Sequence, residues 1–145
     1  MSVPIVRIDK VFDHPNAERL SINVLDVSEL NANSVICISN KVDGQHRYKE
    51  GDLVAYLAPG CVLPEWLLKR LDMWDEKNNR GFLGGGAGNI VERVKLRGEF
   101  SEGTMYPTEK LSDGIISCRH IVESEDGSFH YVHLGDDAAK FLGVQ

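Results

Sequence analysis

The stretch Glu92–Pro107, ERVKLRGEFSEGTMYP, decides how the chain is read. Val94, Leu96, Phe100 and Met105 supply apolar positions, and Arg93, Lys95 and Arg97 alternate with the first two. Successive side chains of a strand point to opposite faces, so this spacing predicts a strand with one basic face and one core face. Gly98 and Gly103 bracket the polar segment from Glu99 to Glu102. Glycine at both ends marks a tight backbone path that a Cβ would obstruct, such as a bulge or a strand re-entering its sheet. A plainer reading is an edge strand whose positive charges discourage aggregation.

Outward from this stretch, the chain is punctuated for short strands. A β-branched run predicts a first strand over Ile5 to Phe12. It ends at DHPNAERL, where Pro15 blocks the ladder and Asn16 suits a turn, so the chain reverses before Leu20. A second strand over Leu20 to Val27 sets Leu20, Ile22 and Val24 against Ser21, Asn23 and Leu25. Asn31 to Ser34 is then a turn, Val35 to Ile38 a short strand, Asn40 to Lys49 a polar loop, and LVAYLA from Leu53 a fourth strand. VLPEWLLKRL predicts a helix over about residues 64–71, with Pro64 at its start and Glu65, Lys69 and Arg70 placed to suit the helix dipole. Residues 75–90 read as a mobile glycine-rich loop. Strands over Ile115 to Val122 and Phe129 to Leu134 flank the hairpin signal Asp126-Gly127, and Asp136 or Asp137 caps a last short helix closed by Gly143.

A chain of 145 residues fits one domain and can bury about 68–70% of the surface its unfolded form exposes, without help from a disulfide or a metal. The strands are expected to curl into a barrel over residues 1–112, with 113–145 as an extension of the same domain. Cys37, Cys61 and Cys118 are odd in number and lie among apolar neighbours, as reduced core thiols do. With no charged-then-apolar leader and no membrane-length apolar run, a soluble cytoplasmic protein without membrane partners is expected. The net charge of −6 argues against indiscriminate coating of nucleic acid. Its distribution is uneven: residues 69–98 carry seven Lys and Arg against four Asp and Glu, whereas residues 99–145 carry three against nine.

Three catalytic signatures fail on context. The glycine-rich loop lacks the Gly-Lys-Ser/Thr and the following helix of a phosphate cradle. Lys41-Val42-Asp43-Gly44 matches KxDG, the lysine motif of covalent nucleotidyltransferases, but nothing downstream resembles the acidic and lysine motifs that would hold nucleotide and metal. None of the five histidines has a visible Ser, Cys or carboxylate partner, and His130 and His133 face opposite ways on a strand. No catalytic residue, metal site or cofactor is expected on this chain alone.

DHPNAERL, NKVDGQHRYKEGDLVAYLAPGCVLP and VKLRGEFSEGTMYP, in that order, resemble the tRNA-binding OB domains of some synthetases and free-standing auxiliaries. They resemble more closely the N-terminal OB domain of the RNA ligase family that places such a domain ahead of its nucleotidyltransferase domain; the terminal GDDAAKFLGV is similar to the segment leading into that second domain. The resemblance implies a mainly β OB-fold, a five-stranded Greek-key barrel with a short inserted helix and a C-terminal β-hairpin extension. Ile8, Ile22, Val24, Leu53, Val94 and Leu96 are expected to fill its interior. RNA contact is implied at Arg19, Lys95, Arg97 and Ser101. In such a barrel Lys41 and Arg47 would join them on phosphates, and Tyr48 or Tyr56 would stack on a base or ribose. The function so implied is RNA binding in end joining or repair, on nicked duplex, single-stranded RNA or tRNA, beside a nucleotidyltransferase domain. A free-standing tRNA-binding module, or a protein-docking or dimerisation module, is the alternative.

Overall fold

The computed structural model describes residues 1–28, 34–112 and 118–145. In chain order the elements are β1 (Ile5–Asp13), β2 (Leu20–Asp26), β3 (Ser34–Asn40), β4 (Leu53–Leu57), α1 (Glu65–Arg70), β5 (Trp74–Asp75), β6 (Arg80–Gly81), β7 (Arg93–Leu96), β8 (Glu99–Glu102), β9 (Thr104–Pro107), β10 (Glu109–Ser112), β11 (Cys118–Glu123), β12 (Phe129–Val132) and α2 (Ala139–Leu142). The expected turn at 31–33 and the start of the expected strand at 115–117 lie outside the described residues. Five antiparallel strands form the main sheet in the order β3-β2-β1-β4-β9, and β10-β11-β12 form a second sheet. Among the described residues no helix is long and apolar enough to cross a membrane.

The main sheet buries one face along all five strands and the other along β4, β9 and the start of β1. Val6, Ile8, Leu25, Cys37, Val54 and Met105, one or more from each of its five strands, meet in one core. On the other face Val3, Ile5 and Leu57 pack against Leu67 of α1, Val122 of β11 and Leu142 of α2. Period-2 alternation therefore carries apolar residues to two cores, which is why β4 reads as a continuous apolar run, LVAYL. Burial pushes the Cys37 thiol up to about 12, so it stays protonated and inert at neutral pH.

The sheet curls until its edge β3 lies beside β8, where Ile38 N–H donates to Ser101 Oγ (2.9 Å) and Ser101 Oγ donates to Gly103 O (3.0 Å). A side chain rather than a backbone ladder makes this link, and no closed barrel is formed among the described residues. Ser101→Ala would leave the Ile38 amide without its acceptor, at an expected cost of about 1–3 kcal/mol. Urea unfolding together with hydrogen exchange at Ile38 measures it, and unchanged protection of that amide would refute the role.

Two expectations about the interior need correction. Val94 and Leu96 are exposed, because β7 pairs only with β8 as a separate hairpin and the fifth strand of the sheet is β9. Gly103 makes the change of path: it sits at φ +102°, and a Cβ there would lie 2.3 Å from Leu57 O. In β2 Ile22 is buried as expected, but the residues expected to face outward are buried as well. Leu25 is in the core and Val24 only half buried. Ser21 and Asn23 go inside with it because each finds a partner: Ser21 Oγ meets His46 Nδ1 at 2.5 Å, and Asn23 Nδ2 donates to Cys37 O at 3.0 Å.

In α1 local chemistry and structure agree. Pro64 caps α1, Leu67 and Leu68 form its buried side, and Lys69 pairs with Glu65 at 3.0 Å. Arg70 ties the helix to β9 through Tyr106 Oη (3.1 Å) and to the end of β11 through Glu123 O (3.1 Å) and Ser124 O (3.0 Å). The glycine-rich stretch is laced by backbone bonds, among them Gly81 N–H to Ala87 O (3.0 Å) and Leu83 N–H to Gly88 O (2.9 Å). At the far end Asp137 Oδ1 accepts from Val3 N–H (2.8 Å) and Ala139 N–H (3.0 Å), and Gly143 ends α2 in the left-handed conformation.

In the turn between β11 and β12, Asp126 Oδ1 accepts from Ser128 N–H and from Ser124 Oγ, both at 3.0 Å. The Ser128 hydrogen bonds, followed by that from Ser124, hold its carboxyl down at about 2 against an ordinary 3.8. A depressed folded-state value stabilises the turn above the ordinary carboxylate range, and the contribution is lost as pH falls through the folded value. The Ser128 amide resonance is thus expected to hold steady through the ordinary carboxylate range and to move with a midpoint near pH 2. A midpoint at the ordinary value would contradict the arrangement.

Candidate nucleic-acid interface

Two segments some eighty residues apart clasp each other at one end of the sheet. Residues 97 and 98 join β7 to β8 as a two-residue turn, with Arg97 at φ +54° and Gly98 at φ +92°. Two successive positive φ values match the right-handed twist of a hairpin, but an arginine in the first of them carries backbone strain. The turn that follows β1 holds this tip: His14 Nε2 lies 2.8 Å from Leu96 O, and Asn16 Nδ2 donates to Arg97 O at 2.9 Å. Asn16 N–H in turn donates to His14 Nδ1 (3.0 Å), which makes that nitrogen an acceptor and Nε2 the donor to Leu96. Pro15 and Asn16, read from sequence only as a place to reverse the chain, are thereby part of a seat for the basic hairpin.

This clasp separates exposed cations from engaged ones. Arg19 in the seat, Lys95 on β7 and Arg97 at the tip are exposed, and among the described residues no hydrogen bond or ion pair engages their side chains. Arg93 is paired with Glu102. Lys41, whose backbone N–H donates to Arg19 O (2.8 Å), is 13% exposed in its side chain and bonded to Asp13 Oδ1 at 2.7 Å. The Lys41 ammonium holds the Asp13 carboxyl below the usual carboxylate range, first through the hydrogen bond and then through its charge. The KxDG lysine is thus occupied by a salt bridge.

Arg47, Tyr48 and Ser101 are placed differently again. Arg47 is exposed, with its guanidinium 5.5 Å from the Tyr48 ring centre. The Tyr48 ring is 7% exposed and belongs to the inner core, and burial raises its hydroxyl above the ordinary range. Tyr56 is buried too and donates to Glu102 O at 2.5 Å. Both tyrosines are largely buried. Ser101 is buried and spans Ile38 and Gly103. The exposed ring beside the cations is instead Phe100, paired across the hairpin with Lys95. Its position is legible only once the register of β7 against β8 is known.

The expectation that no histidine has a partner also needs correction. His46 lies between Ser21, 2.5 Å from Nδ1, and Asp13, 3.5 Å from Nε2. The three residue types match a hydrolytic triad, but Ser21 is completely buried, so its hydroxyl offers no nucleophile to a substrate. The pairing is long-range, which hid it from the sequence. A cleft of about 540 Å³ opens beside Lys41, His46 and Tyr48, and another of about 660 Å³ beside Arg47, Lys110 and His120. Among the described residues no three His, Cys, Asp or Glu side chains gather in a way that would hold a metal ion.

No protein-family model matches the chain and no curated protein matches it. Solved structures do. The chain is similar to a lysine-to-methionine mutant of the Naegleria gruberi RNA ligase with AMP and Mn, at a TM-score of 0.61 and 18% identity, over 99% of this chain and 34% of that one. An apo aspartate-to-alanine mutant of the same ligase matches at a TM-score of 0.58 and 20% identity, over 100% of this chain and 35% of that one. At such identities the likeness is one of fold, and the chain spans about a third of the ligase it matches.

Proposed function

We propose that the chain is an RNA-binding accessory domain of the OB type, acting in RNA end joining or repair when coupled to a nucleotidyltransferase domain. The observation that carries this reading is the clasp, which gathers Arg19 and Arg97 at one end of the sheet with Lys95 close by and leaves all three cations without a hydrogen bond or ion pair among the described residues. Cations that a fold positions and does not neutralise are suited to phosphates. Arg47 in the loop after Lys41 adds a further exposed cation, whereas Lys41 is engaged by Asp13. The strand order β3-β2-β1-β4-β9, with β8 drawn to β3 through Ser101, supports an OB barrel left partly open on that side. The fold shared with part of an RNA ligase supports the link to end joining.

Fluorescence anisotropy with labelled nicked RNA duplex, single-stranded RNA and tRNA at about 50 mM salt, where phosphate contacts are strongest, tests the reading. Saturable binding of at least one of the three is expected. Absence of binding to all of them would refute it and leave a protein-docking role for the same surface.

A further inference from the structure

The geometry points to a nucleobase-stacking subsite on the outer face of the β7–β8 hairpin, formed by Phe100 and Arg93, that takes one unpaired base of an RNA strand. The inference rests on the RNA-binding reading above. Alternation along β8 sends Ser101 to β3 and Phe100 to the opposite side, where the ring is 41% exposed. The register of the hairpin sets Lys95 directly across from Phe100, and Arg93 across from Glu102. As a result the Arg93 guanidinium lies 3.7 Å from the centre of the Phe100 ring and the Lys95 ammonium 5.5 Å from it. Glu102 fixes Arg93 by an ion pair, so the guanidinium is held over the ring rather than released to solvent.

An exposed phenylalanine with a stacked arginine is a surface that every base can use, because every base has a π-face and both a ring and a guanidinium plane stack on it. Lys95 and Arg97 on the same hairpin stand where the phosphates flanking such a base would pass. The subsite is also rigid. Ser101 anchors the strand to β3, and His14 and Asn16 anchor the tip. The exposed Phe129 of β12 does not compete for this role, since its surroundings in sequence, Glu123, Glu125, Asp126, Asp136 and Asp137, repel phosphate.

The test uses the whole chain, a single-stranded RNA of about ten nucleotides and the same RNA with abasic sites. Phe100→Leu keeps an apolar side chain of similar size at an exposed position but removes the π-face, and Phe100→Tyr keeps it. Phe100→Leu is expected to weaken binding of the intact RNA by roughly 5- to 150-fold, the range for loss of one stacked base. Its log affinity against log salt should keep the wild-type slope, because no phosphate contact is lost. Phe100→Tyr should bind like wild type, and the abasic RNA should bind wild type no better than the intact RNA binds Phe100→Leu. Equal affinity of wild type and Phe100→Leu for an RNA that both bind would overturn the subsite and leave the RNA-binding reading standing. If wild type binds no RNA at low salt, the RNA reading falls and the subsite with it.

Discussion

Gly103→Ala is expected to destabilise the fold by about 3 kcal/mol or more, the upper end of what a single strained backbone position costs. Two effects add. At φ +102° any L side chain is strained, and the new Cβ would lie 2.3 Å from Leu57 O, a backbone atom fixed in the β4–β9 ladder. Relief requires β9 to move away from β4, which would pull Met105 from one core and Tyr106 from the other. For a domain of this size the melting temperature should fall by roughly 6–12 °C. Gly127→Ala is a useful contrast, because it has φ +83° but nothing within 4 Å of the added carbon, and it should cost only the backbone strain. Equal melting temperatures for the two variants would show that close approach to Leu57 is not what demands glycine at residue 103.

The second large effect concerns binding. Lys95→Ala/Arg97→Ala removes two of the three cations at the clasp that no carboxylate neutralises among the described residues. With roughly 0.7 counterions released per phosphate contact on a single strand, the loss of two contacts should weaken RNA binding about 25-fold near 0.1 M salt, and by similar factors for different sequences. The fold should be unaffected. Both side chains are exposed and alanine at residue 97 bears the same positive-φ strain as arginine. Arg97→Gly goes further, because it removes the charge while relieving the strain, so it should bind RNA less well yet melt higher. A variant that gains stability and loses affinity separates a binding role for this residue from a structural one.

Much of this architecture can be read from local signals in the chain. Val6 and Ile8, Pro64 with Leu67 and Leu68, and Asp126-Gly127 each carry their own physical reason for strand, helix or turn, and the structure places those elements within a residue or two of the sequence boundaries. What could not be read depends on partners far away in sequence. Ser21 and Asn23 look like an outward face until His46 and the carbonyl of Cys37 are brought to them. Lys41 looks like an available cation until Asp13 closes on it, and Tyr48 looks like a surface ring until the curled sheet covers it. Val94 and Leu96 alternate as a core strand would, but Gly103 hands the fifth place in the sheet to the next segment. For the candidate site, Lys95, Arg97 and Arg19 were legible as charges. The seat made by His14 and Asn16, which gives those charges a fixed position, was not.

Salt dependence tests the central claim most directly. The affinity of wild type and of Lys95→Ala/Arg97→Ala for one single-stranded RNA would be measured from about 50 to 200 mM salt, the range over which phosphate contacts weaken steeply. If Arg19, Lys95 and Arg97, with or without Arg47, meet phosphates, the wild-type plot of log affinity against log salt should fall with a slope of about −2 to −3, and that of the variant should be shallower by about 1.4. Parallel plots for the two proteins, or a wild-type affinity indifferent to salt, would contradict the account.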